Sequence, residues 1–118
     1  ANSAAGPILR LHEACLDHRA GDGDGGGRDV VRTLAVGVPG SAWQETNRKA
    51  SKLCAGMNEA LRTFASNRDG VSYEDFPFPY RRGDTRWSAD GLHLSPEGYE
   101  DLGRGLAPTV KRILDGMT

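Results

Sequence analysis

The stretch Val30 to Val38, VVRTLAVGV, constrains the fold most: a short, β-branched and largely apolar run that stops at Pro39-Gly40. Such a run reads as a strand buried on both faces, which belongs in a parallel sheet rather than in an antiparallel sheet with one wet face. A second strand follows at Val71 to Phe76, VSYEDF, which alternates apolar and polar residues. Between them, Ser41 to Asn67 carries Leu53, Met57, Ala60, Leu61 and Phe64 on one helical face, with Lys49, Lys52, Glu59 and Arg62 largely elsewhere. Ser41 followed by Gln44 predicts a capping box at its start, and Gly70 closes the connection to the second strand. A strand, a helix and a strand in that order form one β-α-β unit, so parallel strands and a right-handed crossover are expected.

The flanks complete the plan. Pro7 to Arg19 places Ile8, Leu11, His12, Cys15 and Leu16 at three-and-four spacing, which predicts a helix with His12 as a core or boundary residue. Ala20 to Asp29, AGDGDGGGRD, is too rich in glycine for regular structure and reads as a flexible connector. Gly21, Gly23 and Gly26 match G-x-G-x-x-G, but a dinucleotide loop follows a strand and opens a helix, and this segment does the reverse. Asp22 and Asp24 begin like a calcium loop, yet Thr33 stands where a bidentate Glu is required. Pro77 to Ala89 is aromatic, rich in Pro and irregular, and is expected at the carboxyl edge of the sheet. Ser95-Pro96 then caps a last helix with a stripe of Tyr99, Leu102, Leu106, Val110, Ile113 and Met117, and Pro108 inside it is expected to cause a kink.

The 118 residues, 37% of them hydrophobic, fit one small domain or part of one. Lys plus Arg number 15 against 16 Asp plus Glu, so the net charge of -1 gives no field for nucleic acid or an anionic membrane. No apolar run approaches the roughly 20 residues of a membrane span, and the first residues lack the layout of a signal peptide. Cys15 and Cys54 both fall on apolar faces and are expected as buried thiols rather than as a disulfide or a metal site.

Asp90 to Tyr99 reads DGLHLSPEGY, with His93 three residues after Asp90 in a loop that opens a helix. In open α/β sheets reactive groups gather at the carboxyl ends of strands, where this loop is expected. A carboxylate beside a histidine can fix the ring's tautomer and leave the other nitrogen free as a base. By spacing alone the pair is weak ground, because Asp and Ser are common at helix starts and His is tolerated in loops.

The block around the pair adds to it. SADGLHLSPEGYEDLG, Ser88 to Gly103, resembles the final block of the SGNH (GDSL) hydrolases, a family of serine esterases, lipases and acyl-carbohydrate esterases. The D-x-x-H pair, Ser95-Pro96 and Gly98-Tyr99 carry the resemblance, and VGVPGS, a long helix and VSYEDF precede the block in the matching order. The resemblance implies part of a three-layer α/β/α flavodoxin-like fold with a parallel sheet, its first half absent from this chain. It also implies a small ester as substrate, His93 as base, Asp90 as its orienter, and no cofactor or metal.

In that family the nucleophile is the serine of a GDS-type motif, and a glycine and an asparagine complete the oxyanion hole. Neither GDS nor G-x-N-D occurs here, so the chain resembles the C-terminal portion of such a domain and is expected to be inactive alone. Ser41 has the right order relative to Asp90 and His93, but PGSAW lacks the glycine that follows the nucleophile in an elbow, and the cap explains the residue. Two parallel strands would leave an edge uncovered, so a further polypeptide, whether a separated first half or a companion chain, is an expected partner. A non-catalytic, hydrolase-like subunit is the alternative. A metal site on Asp90 and His93 needs further ligands, and neither His12 nor His18 is placed to supply them.

Overall fold

The structure, a computed structural model, describes residues 31–117. The expected first helix with His12, Cys15 and His18, and the 20–29 connector, lie outside the described residues. Strands β1 (Thr33–Val36) and β2 (Val71–Glu74) form a two-stranded parallel sheet in which Thr33 faces Val71 and Val36 faces Glu74. With three helices, this is a small mixed α/β arrangement.

Both strands are shorter than the sequence predicts, and the chain shows why. Beyond β1, the Asn58 side chain takes both backbone groups of Val38: Oδ1 accepts from its N–H at 2.6 Å and Nδ2 donates to its carbonyl at 3.2 Å. These bonds fix the chain beyond β1 at the edge turned away from β2, and Pro39, which has no N–H, cannot extend the ladder. Beyond β2 the chain enters Phe76-Pro77-Phe78-Pro79, where proline supplies no donor for a ladder.

The single long helix expected over Ser41 to Asn67 is two helices, α1 (Ala42–Thr46) and α2 (Arg48–Ser66). Asn47 separates them with an extended backbone (φ -137°, ψ 104°), and its Oδ1 accepts from the Ala50 N–H at 3.1 Å. Asn competes well for backbone groups in non-helical conformations, so it caps a second helix instead of continuing the first. Ser41 caps α1 by accepting from the Gln44 N–H at 3.4 Å, but Gln44 Nε2 donates to the Pro39 carbonyl at 2.9 Å rather than returning to the cap.

Helix α2 packs on β2 with most of the predicted stripe half-buried, namely Met57, Ala60, Leu61 and Phe64, and with the closest packing at small residues beside it. Ala50, Cys54 and Ala65 are buried while Leu53 is exposed, and the charged Lys49, Lys52, Glu59 and Arg62 all face water. The last helix, α3 (Pro96–Asp115), does the same: Gly98 and Thr109 are buried, whereas Tyr99, Val110 and Met117 are exposed and only Leu102, Leu106 and Ile113 are partly covered. On α3, small residues let the helix backbone approach its neighbours. A Cβ at Gly105 would lie 2.6 Å from Pro77 Cβ, and one at Gly98 would overlap the Arg86 carbonyl oxygen. α3 continues through Pro108 from Pro96 to Asp115.

The core comprises Ala50, Cys54, Ala65, Val71, Phe78 and Trp87, and no large side chain among the described residues is completely enclosed. The Thr33 N–H donates to the Gly70 carbonyl just before β2 at 2.8 Å and the Gly37 N–H to the Glu74 carbonyl at 2.9 Å, so the alternation of the chain turns the backbone groups of Leu34 and Val36 toward the opposite edge of β1. No described strand pairs with that edge.

Candidate active site

Asp90 and His93 sit in a tight turn closed by a short antiparallel pairing. Trp87 bridges Leu94, the Ser88 N–H donates to the His93 carbonyl at 2.7 Å, and the Ser95 N–H donates to the Arg86 carbonyl at 3.0 Å. Gly91 turns the corner with φ +68°, where an L side chain is strained, and its carbonyl accepts from the Ala42 N–H at 2.9 Å. The turn is thereby tied to the start of α1, at the carboxyl end of β1.

Within the turn the two predicted residues meet. Asp90 Oδ1 accepts from the Leu92 N–H at 2.8 Å and the His93 N–H at 3.0 Å, while Oδ2 lies 2.5 Å from His93 Nδ1. These contacts, the His93 ring first and the two N–H groups after it, hold the Asp90 carboxyl down at about 2 from its ordinary 3.8. An ionised carboxylate only accepts, so the contact places a hydrogen on Nδ1, and in the tautomer that fits it Nε2 is the nitrogen left with a lone pair. The pair faces solvent, with the His93 side chain 73% exposed and that of Asp90 46%.

A fork anchors the loop. Arg86 Nε and Nη2 bond both Asp84 oxygens at 2.7 to 3.1 Å, the Arg86 N–H adds a contact at 2.9 Å, and Asp84 is held at about 2 chiefly by that side-chain pairing. The guanidinium also lies 4.3 Å above the Phe78 ring and 4.0 Å from Asp101 on α3. The helix after the pair starts as predicted, with Ser95 Oγ accepting from the Gly98 N–H at 3.2 Å and donating to the Thr85 carbonyl at 2.5 Å.

No family of known proteins, curated protein or solved structure matches this chain.

The aromatic loop both packs and lines space. Phe78 and Trp87 are buried, edge-to-face at 6.1 Å, with Phe76 and Tyr80 against them at 4.9 and 5.3 Å. Phe76 and Phe78 also border a pocket of about 350 Å³ with Val38, Pro39 and Asn58, and Tyr80 borders a second of about 320 Å³ with Gly40, Ser41 and Gln44. Ser41 acts as a helix cap and makes no hydrogen bond to His93. Among the described residues, no group of three metal-binding side chains comes together.

Cys54 is a free, buried thiol pushed up by that burial. No helix among the described residues is long and apolar enough to cross a membrane. The motifs single out neither Asn58 nor Ser88. Asn58 was nonetheless visible as a polar residue on the same helical face as Cys54, Leu61 and Ala65, where only a paired amide is tolerated.

Proposed function

We propose that this chain is the C-terminal part of an SGNH-type ester hydrolase and supplies its base pair, with the nucleophilic serine and the oxyanion-hole donors on another polypeptide segment. One observation carries the reading: Asp90 is pinned by two backbone N–H groups and meets His93 Nδ1 at 2.5 Å, which leaves Nε2 free. On this reading Nε2 takes the proton of the serine hydroxyl as its oxygen attacks the ester carbonyl, and later gives it to the leaving alkoxide. Asp90 stabilises the imidazolium in between. The two-stranded sheet is then the edge of a larger three-layer α/β/α, flavodoxin-like parallel sheet, and the open side of β1 receives the remaining strands. A small ester is the substrate, with the pockets beside Pro39 and Gly40 bordering its site.

The exposure of His93 favours a second reading, a hydrolase-like subunit without catalysis. Treating the native material with a fluorophosphonate and weighing every intact chain separates the two. Label on a companion polypeptide supports the split hydrolase. Label on this chain makes Ser41 the suspect, and no label with no companion leaves the subunit. In the complete enzyme, His93→Ala abolishes turnover with little change in melting, and Asp90→Asn lowers it by about four orders of magnitude. Full esterase activity in either variant sinks the assignment.

A further inference from the structure

All the hydrogen-bonding groups of Ser88 serve the turn that carries the pair. Its N–H donates to the His93 carbonyl at 2.7 Å, its carbonyl accepts from the Gly91 N–H at 3.0 Å, and its hydroxyl donates to the Leu94 carbonyl at 3.2 Å. On the other side the His93 N–H is held by Asp90 Oδ1 at 3.0 Å. Both peptide groups flanking His93 are therefore fixed, one by Asp90 and one by Ser88, and the hydroxyl fixes the next carbonyl as well. With its side chain 73% exposed, the ring gains little orientation from packing, so its direction comes from the contact with Asp90 Oδ2 and from the backbone that brings the two face to face.

We propose that Ser88 is a positioning residue for His93: its hydroxyl and amide hold the backbone so that the ring turns Nδ1 to Asp90 and Nε2 outward. The inference rests on the base-pair reading and adds a residue to it. Ser88 touches no reacting atom, and its effect passes through the histidine.

Long-range proton–nitrogen NMR of the whole chain at neutral pH reads the tautomer of each of its three histidines. The wild-type His93 is expected as the Nδ1–H form, and Ser88→Thr, which keeps the hydroxyl, matches it. Ser88→Ala removes only the hydroxyl bond to the Leu94 carbonyl and keeps the amide bond to His93, so it lowers the ratio of Nδ1–H to Nε2–H by at most about tenfold, the limit reached if the whole worth of that bond is coupled to the ring's orientation. An alanine variant with the wild-type ratio overturns the role of Ser88 and leaves the base pair standing. A wild-type ring in the Nε2–H form instead overturns the base-pair reading, and this inference with it. If Ser88→Ala loses the amide dispersion of β1 and β2, Ser88→Cys, of similar size and with a weak donor, carries the same test. In the complete enzyme, Ser88→Ala lowers kcat with KM unchanged, and Ser88→Thr restores it.

Discussion

Asn58→Ala tests the joint on which the carboxyl end of β1 depends. The Asn58 amide makes two bonds to one residue, accepting from the Val38 N–H at 2.6 Å and donating to its carbonyl at 3.2 Å, in half-buried surroundings. At about 1 kcal/mol net for each bond, the loss is about 2 kcal/mol, rising to about 3 where water does not reach the freed groups. For a domain of this size that lowers Tm by roughly 8 to 12 °C. Asn58→Asp sharpens the test. The introduced carboxylate still accepts from the Val38 N–H but opposes its carbonyl, so its folded-state pKa rises above the unfolded value of about 4, and the deficit shrinks as pH falls through that raised value, where the acid is protonated and donates again, and stops changing below about 4. Urea unfolding of both variants gives the energies, and hydrogen exchange at Val38 localises them. A loss below about 0.5 kcal/mol for Asn58→Ala, with Val38 exchange unchanged, refutes the reasoning, because a severed pair of half-buried bonds cannot cost so little.

Two further outcomes follow from the turn. Gly91→Ala places a Cβ 2.5 Å from Ala42 Cβ at a φ of +68°, whereas Gly83→Ala meets nothing within 4 Å at a φ of +84°. Both variants incur the left-handed backbone cost of about 1–2 kcal/mol, and only Gly91→Ala also speeds exchange of the Ala42 amide; equal stability and exchange in the two would remove the docking contact from the account. Asp84 and Asp90 are each held at about 2 from 3.8, so each contributes stability that is present above about pH 4 and lost as pH falls toward 2. Carboxyl-carbon NMR titration reads both midpoints, and a value near 3.8 for Asp90 in the folded chain contradicts its bonding to His93.

Strands, caps and the pair were legible because each is written in adjacent residues. VVRTLAVGV and VSYEDF gave parallel strands, Ser95-Pro96 gave the start of α3, and the Asp90-His93 spacing fits a single turn in which one carboxylate reaches two N–H groups and a ring. The closest contacts of each helix were not legible in the same way. Hydrophobicity nominated Leu53 and Tyr99, but close approach of helix to sheet and loop selects the small Ala50, Cys54, Gly98 and Thr109, a choice made by partners far along the chain. The break at Asn47 had a local signal, an Asn three residues before the buried Ala50, which the apolar pattern on either side obscured. Asn58 and Ser88 act on residues that only the fold brings within reach or into register.

The proposed reading also limits how a companion segment can approach. Pro39, Gly40 and Ser41 lie at the carboxyl end of β1, and Ala42 ties that end to the turn of Asp90 and His93 through Gly91. A strand added beside Leu34 and Val36 in the parallel sense ends at the same edge, so a loop following it starts from the end of the sheet to which the turn of Asp90 and His93 is tied. An antiparallel strand would use the same backbone groups but bring its amino end there, leaving any serine that follows it at the far side of the sheet. On the proposed reading, pairing orientation at the β1 edge therefore decides whether a companion could complete a catalytic site around His93 or only cover the sheet, even if both bury the same area.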